Sequence, residues 1–122
     1  MKPRDSALRA KRFEAAEKAR KVASLEAMIR DFETMASELS RQISVEEERT
    51  GVKDVAHFAY STFAKAAAQR RSNLLTSVAE LKLQLEAARH DHEESASELT
   101  KLEPSDDRDR LLHKGDPRAL AS

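Results

Sequence analysis

The chain has 122 residues, of which 36% are charged and 39% apolar, with a formal net charge of zero and a mean hydropathy of -0.70. This fits one domain but is too polar for a thick globular core, and the wealth of Ala, Glu, Lys and Leu points to long helices. The lack of cysteine excludes disulfide staples, thiolate metal sites and thiol chemistry. No apolar run of about 18 residues offers a membrane span and no apolar signal core opens the chain, so a soluble, cytoplasmic protein without membrane insertion is expected.

The breakers are Pro3, Gly51, Pro104, Gly115 and Pro117, which leave a long uninterrupted stretch on each side of Gly51. Helix one is predicted over 5–50, with Asp5 or Ser6 as N-cap and Gly51 as the left-handed residue that closes it. A seven-residue series runs Leu8, Ala15, Val22, Ile29, Ala36, Ile43, with Leu25, Phe32 and Leu39 at the complementary position. Lys11 and Lys18 fall on the same seam and Phe13 lies off it, so the first third is weaker and the pattern is clean from Val22 to Ile43.

The link is predicted over 51–60, with Asp54 capping a short turn and Ser61 a second cap, and helix two over 61–103. From Leu74 an alternating 4,3 step lands on Val78, Leu81, Leu85, Ala88, His92, Ser95, Leu99 and Leu102, a seam of about four heptads. Pro104 ends that helix, and 104–122, including Leu111 and Leu112, reads as a flexible tail.

A short link favours antiparallel packing. Folding the chain about residue 55 sets Ile29 against Leu81, Leu25 against Leu85, Phe32 against Val78, Val22 against Ala88 and Ala36 against Leu74. The same register sets the basic start of helix one beside the acidic end of helix two, so charge and hydrophobic layout agree. The expected fold is all-α, two long helices in an antiparallel coiled-coil hairpin over 1–103. A fully buried Leu contributes about 1.5 to 3 kcal/mol and half-buried seam residues less, so marginal stability and fraying ends are expected. Met28, Met35 and Leu75 beside the seam, and Leu83 farther round, widen the apolar face and point to a further partner or self-association.

Sites for small-molecule chemistry are not evident. His90 and His92, with Asp91 and Glu93, have i, i+2 spacing and point to different faces, whereas a helical metal pair needs i+3 or i+4. His92 reads as a polar layer in the seam beside Lys18. Glu46, Glu47 and Glu48 fan around the helix and do not converge on a cation. With no Ser/His/Asp set, phosphate loop or HExxH motif, neither enzymatic activity nor a cofactor is expected.

Lys2, Arg4, Arg9, Lys11, Arg12, Lys18, Arg20 and Lys21 form a basic set, which nucleic acid or a membrane surface would require. The acids interspersed among them and on the facing helix weaken its field, so protein docking is favoured and nucleic acid is not expected. Phe58, Tyr60 and Phe63, three of the five Phe and Tyr residues, gather near the link, where they either close the end of the coiled coil or anchor a partner. Arg70 and Arg71 follow, Arg71 on the seam, where its stem can pack while its head reaches out.

The stretch "EEERTGVKDVAHFAYSTFAKAAAQRRSNLLTSVAELKLQLEAA", and in pattern "RDSALRAKRFEAAEKARKVASLEAMIRDFETMA" before it, resembles the FliJ family of flagellar export proteins in its alphaproteobacterial form, over about residues 1 to 102. The resemblance implies a cytoplasmic component of the flagellar type III export apparatus, peripheral to the basal body and similar to the coiled-coil stalk of rotary ATPase gamma subunits. Its implied partners are the ring of the flagellar export ATPase and the membrane component of the export gate, and export chaperones are a further candidate partner. On that reading the ring would receive the terminal end, with Arg9, Lys11, Arg12 and Lys18 beside Glu94 and Glu98. The gate would meet the middle and tip, where composition selects Phe58, Tyr60, Phe63, Arg70 and Arg71. Two other readings stand beside it: an escort chaperone that uses Met28 and Met35 to hold export partners, and a self-associating structural coiled coil.

Overall fold

A computed structural model describes residues 3–103 and contains two α-helices, α1 (Pro3–Thr50) and α2 (Thr62–Leu102), packed against each other as a helical hairpin. The tail readings beyond Pro104, and Lys2, lie outside the described residues. α1 starts slightly earlier than its cap residues suggest. Pro3 takes the first helical position, where its fixed φ suits a helix and its missing N–H costs nothing, and Asp5 sits inside the first turn, favourable for the helix dipole.

α1 ends at Gly51, whose φ of 75° is the left-handed conformation expected of it. Its N–H still bonds the Glu47 carbonyl at 2.9 Å. The link is a chain of small capping units. The Thr50 hydroxyl accepts from the Val52 N–H at 3.2 Å, and the Asp54 carboxylate accepts from the Ala56 N–H at 2.9 Å. The His57 N–H bonds the Asp54 carbonyl and the Tyr60 N–H bonds the His57 carbonyl, both at 3.0 Å. Both predicted caps are therefore used in succession. Asp54 builds the turn, and Ser61 is the N-cap of α2, its Oγ accepting from the Ala64 N–H at 3.2 Å.

The described residues divide into two compact units, 21–88 and the flanking segments 3–20 with 89–103. In the first, the heptad phase decides burial. One cluster holds Leu25, Ile29, Val78, Leu81, Leu85 and Ala88, with Val22 and Phe32 packed against it, which gathers four of the five pairs set by folding about residue 55, the exception being Ala36 with Leu74. A second holds Leu39, Ile43, Tyr60, Ala64 and Ala67, with Val52, Ala68 and Leu74 against it, and Ala36 is buried as well. The small residues Ala64 and Ala67 pack with the large Leu39 and Ile43.

In the flanking unit the buried seam residues are Leu8, Ala15 and Ser95. Lys11, Lys18, His92 and Leu99 are half-buried and Leu102 is exposed. Off the seam, Phe13, Met28, Met35, Leu75 and Leu83 are exposed, as their phase requires. Among the described residues no helix is long and apolar enough to cross a membrane.

Candidate functional site

The residues singled out from sequence fall into two groups, one in each unit. In the flanking unit, Lys11 donates to the Glu98 carboxylate across the helix pair at 3.0 Å and to Glu14 on its own helix at 3.4 Å. Lys18 reaches Glu14 at 3.1 Å. The hydrogen bond to Glu98 and then that to Glu14 hold the Lys11 ammonium above its usual pKa. Lys18 and then Lys11 hold Glu14 below the usual carboxylate range. Lys11 and Lys18 are thus tied into an intramolecular ion network, while Arg9 and Arg12 are exposed. Of the two lysines, Lys11 crosses to the facing helix, whereas Lys18 pairs within its own helix.

The second group sits in and after the link. The three aromatic residues separate completely. Tyr60 is 7% exposed and belongs to the second apolar cluster, and its hydroxyl donates to the Glu47 carboxylate at 2.8 Å. That bond, followed by burial, raises the Tyr60 pKa above its ordinary value. Phe58 is 96% exposed, stacked on the His57 ring at a centroid distance of 4.6 Å. His57 is itself held, its Nδ1 accepting from the Ala59 N–H at 3.0 Å. Phe63 is exposed on the first turn of α2. Tyr60 therefore closes the end of the hairpin while Phe58 and Phe63 stand outward, and Val55, which sequence reasoning passed over, joins them as an exposed apolar residue of the link.

Arg71 is half-buried at its seam position, and its guanidinium donates to the Ser40 hydroxyl of α1 at 3.1 Å, so its head is spent on the helix pair. Arg70 is exposed and borders an open depression of about 360 Å³ lined by Thr34, Met35, Glu38, Leu39 and Gln42. That depression went unforeseen, although Met35 and Leu39 at i, i+4 on α1 mark it in the sequence. Of the acidic run, Glu46 bonds the Arg49 guanidinium at 2.6 Å and Glu47 serves Tyr60, so the carboxylates do point apart. No protein-family model, curated protein or solved structure matches the chain.

Proposed function

We propose that this chain is a non-enzymatic component of the flagellar type III export apparatus, cytoplasmic and peripheral to the basal body. It links the ring of the export ATPase to the membrane component of the export gate, in the manner of a rotary-ATPase stalk. Beyond the sequence resemblance, the observation that carries this reading is the pair of apolar seam clusters in residues 21–88, with Arg71 bonded to Ser40 across the helices as well. Coupling two partners requires an element that does not yield between them, and interdigitated a/d layers resist sliding and twisting. The outward Arg9 and Arg12 provide charge for the ring-facing end, and the outward Phe58 and Phe63 provide apolar anchors for the gate-facing end.

The test is hydrolysis by the cognate export ATPase, titrated with the wild-type chain and with an Arg9→Glu, Arg12→Glu variant. Lys11 and Lys18 are left intact because they hold Glu98 and Glu14. Stimulation by wild type and its loss in the variant, with helix content unchanged, is the expected result. A folded wild-type sample that leaves hydrolysis unchanged refutes the reading.

One observation favours the escort-chaperone reading instead. Met28 and Met35, seven residues apart on one face of α1, are both exposed, and flexible thioethers suit a surface that accepts varied helices. That reading requires binding of an export partner without any effect on hydrolysis, and loss of binding in Met28→Glu, Met35→Glu. A stable oligomer indifferent to ATPase and export partner would mark a structural coiled coil.

A further inference from the structure

We infer that residues 3–20 and 89–102 form a clasp that opens and recloses as a unit while residues 21–88 stay folded. The argument starts from what this unit buries. A helix pair is held by the apolar layers between its helices, because short helices on their own are marginal in water. In this unit the seam holds few of them, Leu8 buried and Leu99 half-buried. Leu8 is buried, but its buried companions are Ala15 and Ser95. Lys11, Lys18 and His92 occupy further seam positions, and Leu102 is exposed.

Ser95 adds a penalty to the closed form. It is 1% exposed, and its Oγ has no hydrogen-bond partner. A hydroxyl taken out of water without replacement raises the free energy of the state that buries it, and opening returns it to water. What offsets this is charge. The Lys11 ammonium spans Glu14 and Glu98, and Lys18 completes the network through Glu14. These side chains are substantially exposed, so dissolved salt screens them. The unit is therefore held at its rim by screenable ion pairs and opposed at its centre by an orphan hydroxyl. Residues 21–88 are held by two apolar clusters that salt does not weaken. Lys11 and Glu98 satisfy one another only while the clasp is closed, so a charged partner that reads either of them competes with closure. The inference rests on this packing and not on the export reading.

Amide hydrogen exchange of the full chain, resolved by mass spectrometry, tests it. In low salt, amides of 3–20 and 89–102 are expected to exchange at least about tenfold faster than those of 25–43 and 74–88, and faster still in about 1 M salt. Ser95→Ala removes the orphan hydroxyl and should slow exchange in the flanking unit about five- to tenfold, leaving 25–43 and 74–88 unchanged. Ser97→Ala makes the same change in helix propensity at an exposed position and should alter exchange by no more than about two- to threefold. Equal protection of the two units overturns the inference. So does a Ser95→Ala chain that exchanges no more slowly than wild type, or one that Ser97→Ala matches.

Discussion

Two leucines one turn-fraction apart on α2 give the sharpest test of how this hairpin is held. Leu81 is 8% exposed and packs with Leu25, Ile29, Val78, Leu85 and Ala88, whereas Leu83, two residues on, is 69% exposed. Each Leu→Ala change removes the same three carbons and makes the same small gain in helix propensity. At about 0.8 kcal/mol per buried carbon, Leu81→Ala loses somewhat over 2 kcal/mol of transfer free energy. The cavity contribution is small because a two-helix interface is flanked by solvent and can close up, which places the cost near the lower end of the usual range, about 2 kcal/mol. For a chain of this size that lowers Tm by about 8 to 16 °C. Leu83→Ala, with only a fraction of its side chain covered, should stay within about 0.5 kcal/mol of wild type. Guanidinium and thermal melts followed by far-ultraviolet circular dichroism measure both. Equal losses in the two variants would refute the seam, and with it the argument that heptad phase holds residues 21–88 together.

Two further outcomes concern the link. Gly51 has a φ of 75° and an added Cβ meets nothing within 4 Å, so Gly51→Ala incurs torsional strain alone, about 1 kcal/mol, and Gly51→Asn less; denaturation midpoints at unchanged m-value check this. Tyr60 is the single tyrosine and the chain has no tryptophan, so phenolate absorbance reports its ionisation directly. Its pKa is raised by the bond to Glu47 and by burial. A group raised in the folded state stabilises fully below its unfolded pKa, near 10, and that contribution disappears as pH rises through the folded value. The native titration should therefore lie above that of the urea-unfolded chain, and Glu47→Gln should move the two together; coincident wild-type curves would show that the Tyr60–Glu47 bond is not formed in solution.

The parts of this molecule that were legible in the sequence are those that depend on phase. Counting 4,3 from Leu74 identified Val78, Leu81, Leu85 and Ala88 as core, and all are buried. Continued backwards, the count passes Arg71, Ala67, Ala64 and Tyr60, and the last three are buried and Arg71 half-buried. The separation of Tyr60 from Phe58 was therefore already present in the spacing, but composition, which sees three aromatic residues in six positions, treats them alike. Lys11 and Lys18 repeat the point with charge. Grouped by type with Arg9 and Arg12 they read as one basic surface, yet the seam position of Lys11 brings it to Glu98 on the facing helix, while Lys18 pairs with Glu14 one turn away on its own helix.

What spacing does not carry is the chemistry inside a layer. His92 and Ser95 sit at seam positions just as Leu81 and Leu85 do, and nothing in the interval distinguishes a layer that gains free energy on closing from one that loses it. Only the structure shows that the Ser95 hydroxyl is enclosed without a partner, while the polar Arg71 layer finds Ser40. Both are polar residues in an apolar seam, but the long Arg71 side chain carries its donors to an acceptor on the facing helix, whereas a serine hydroxyl stops one atom past Cβ. Side-chain length thus decides whether a polar layer pins the helices together or loosens them, and the two kinds lie in different units of this chain. The hairpin accordingly has a firm seam over 21–88 and a yielding one over its flanks, a division set by a few seam residues rather than by any break in either helix.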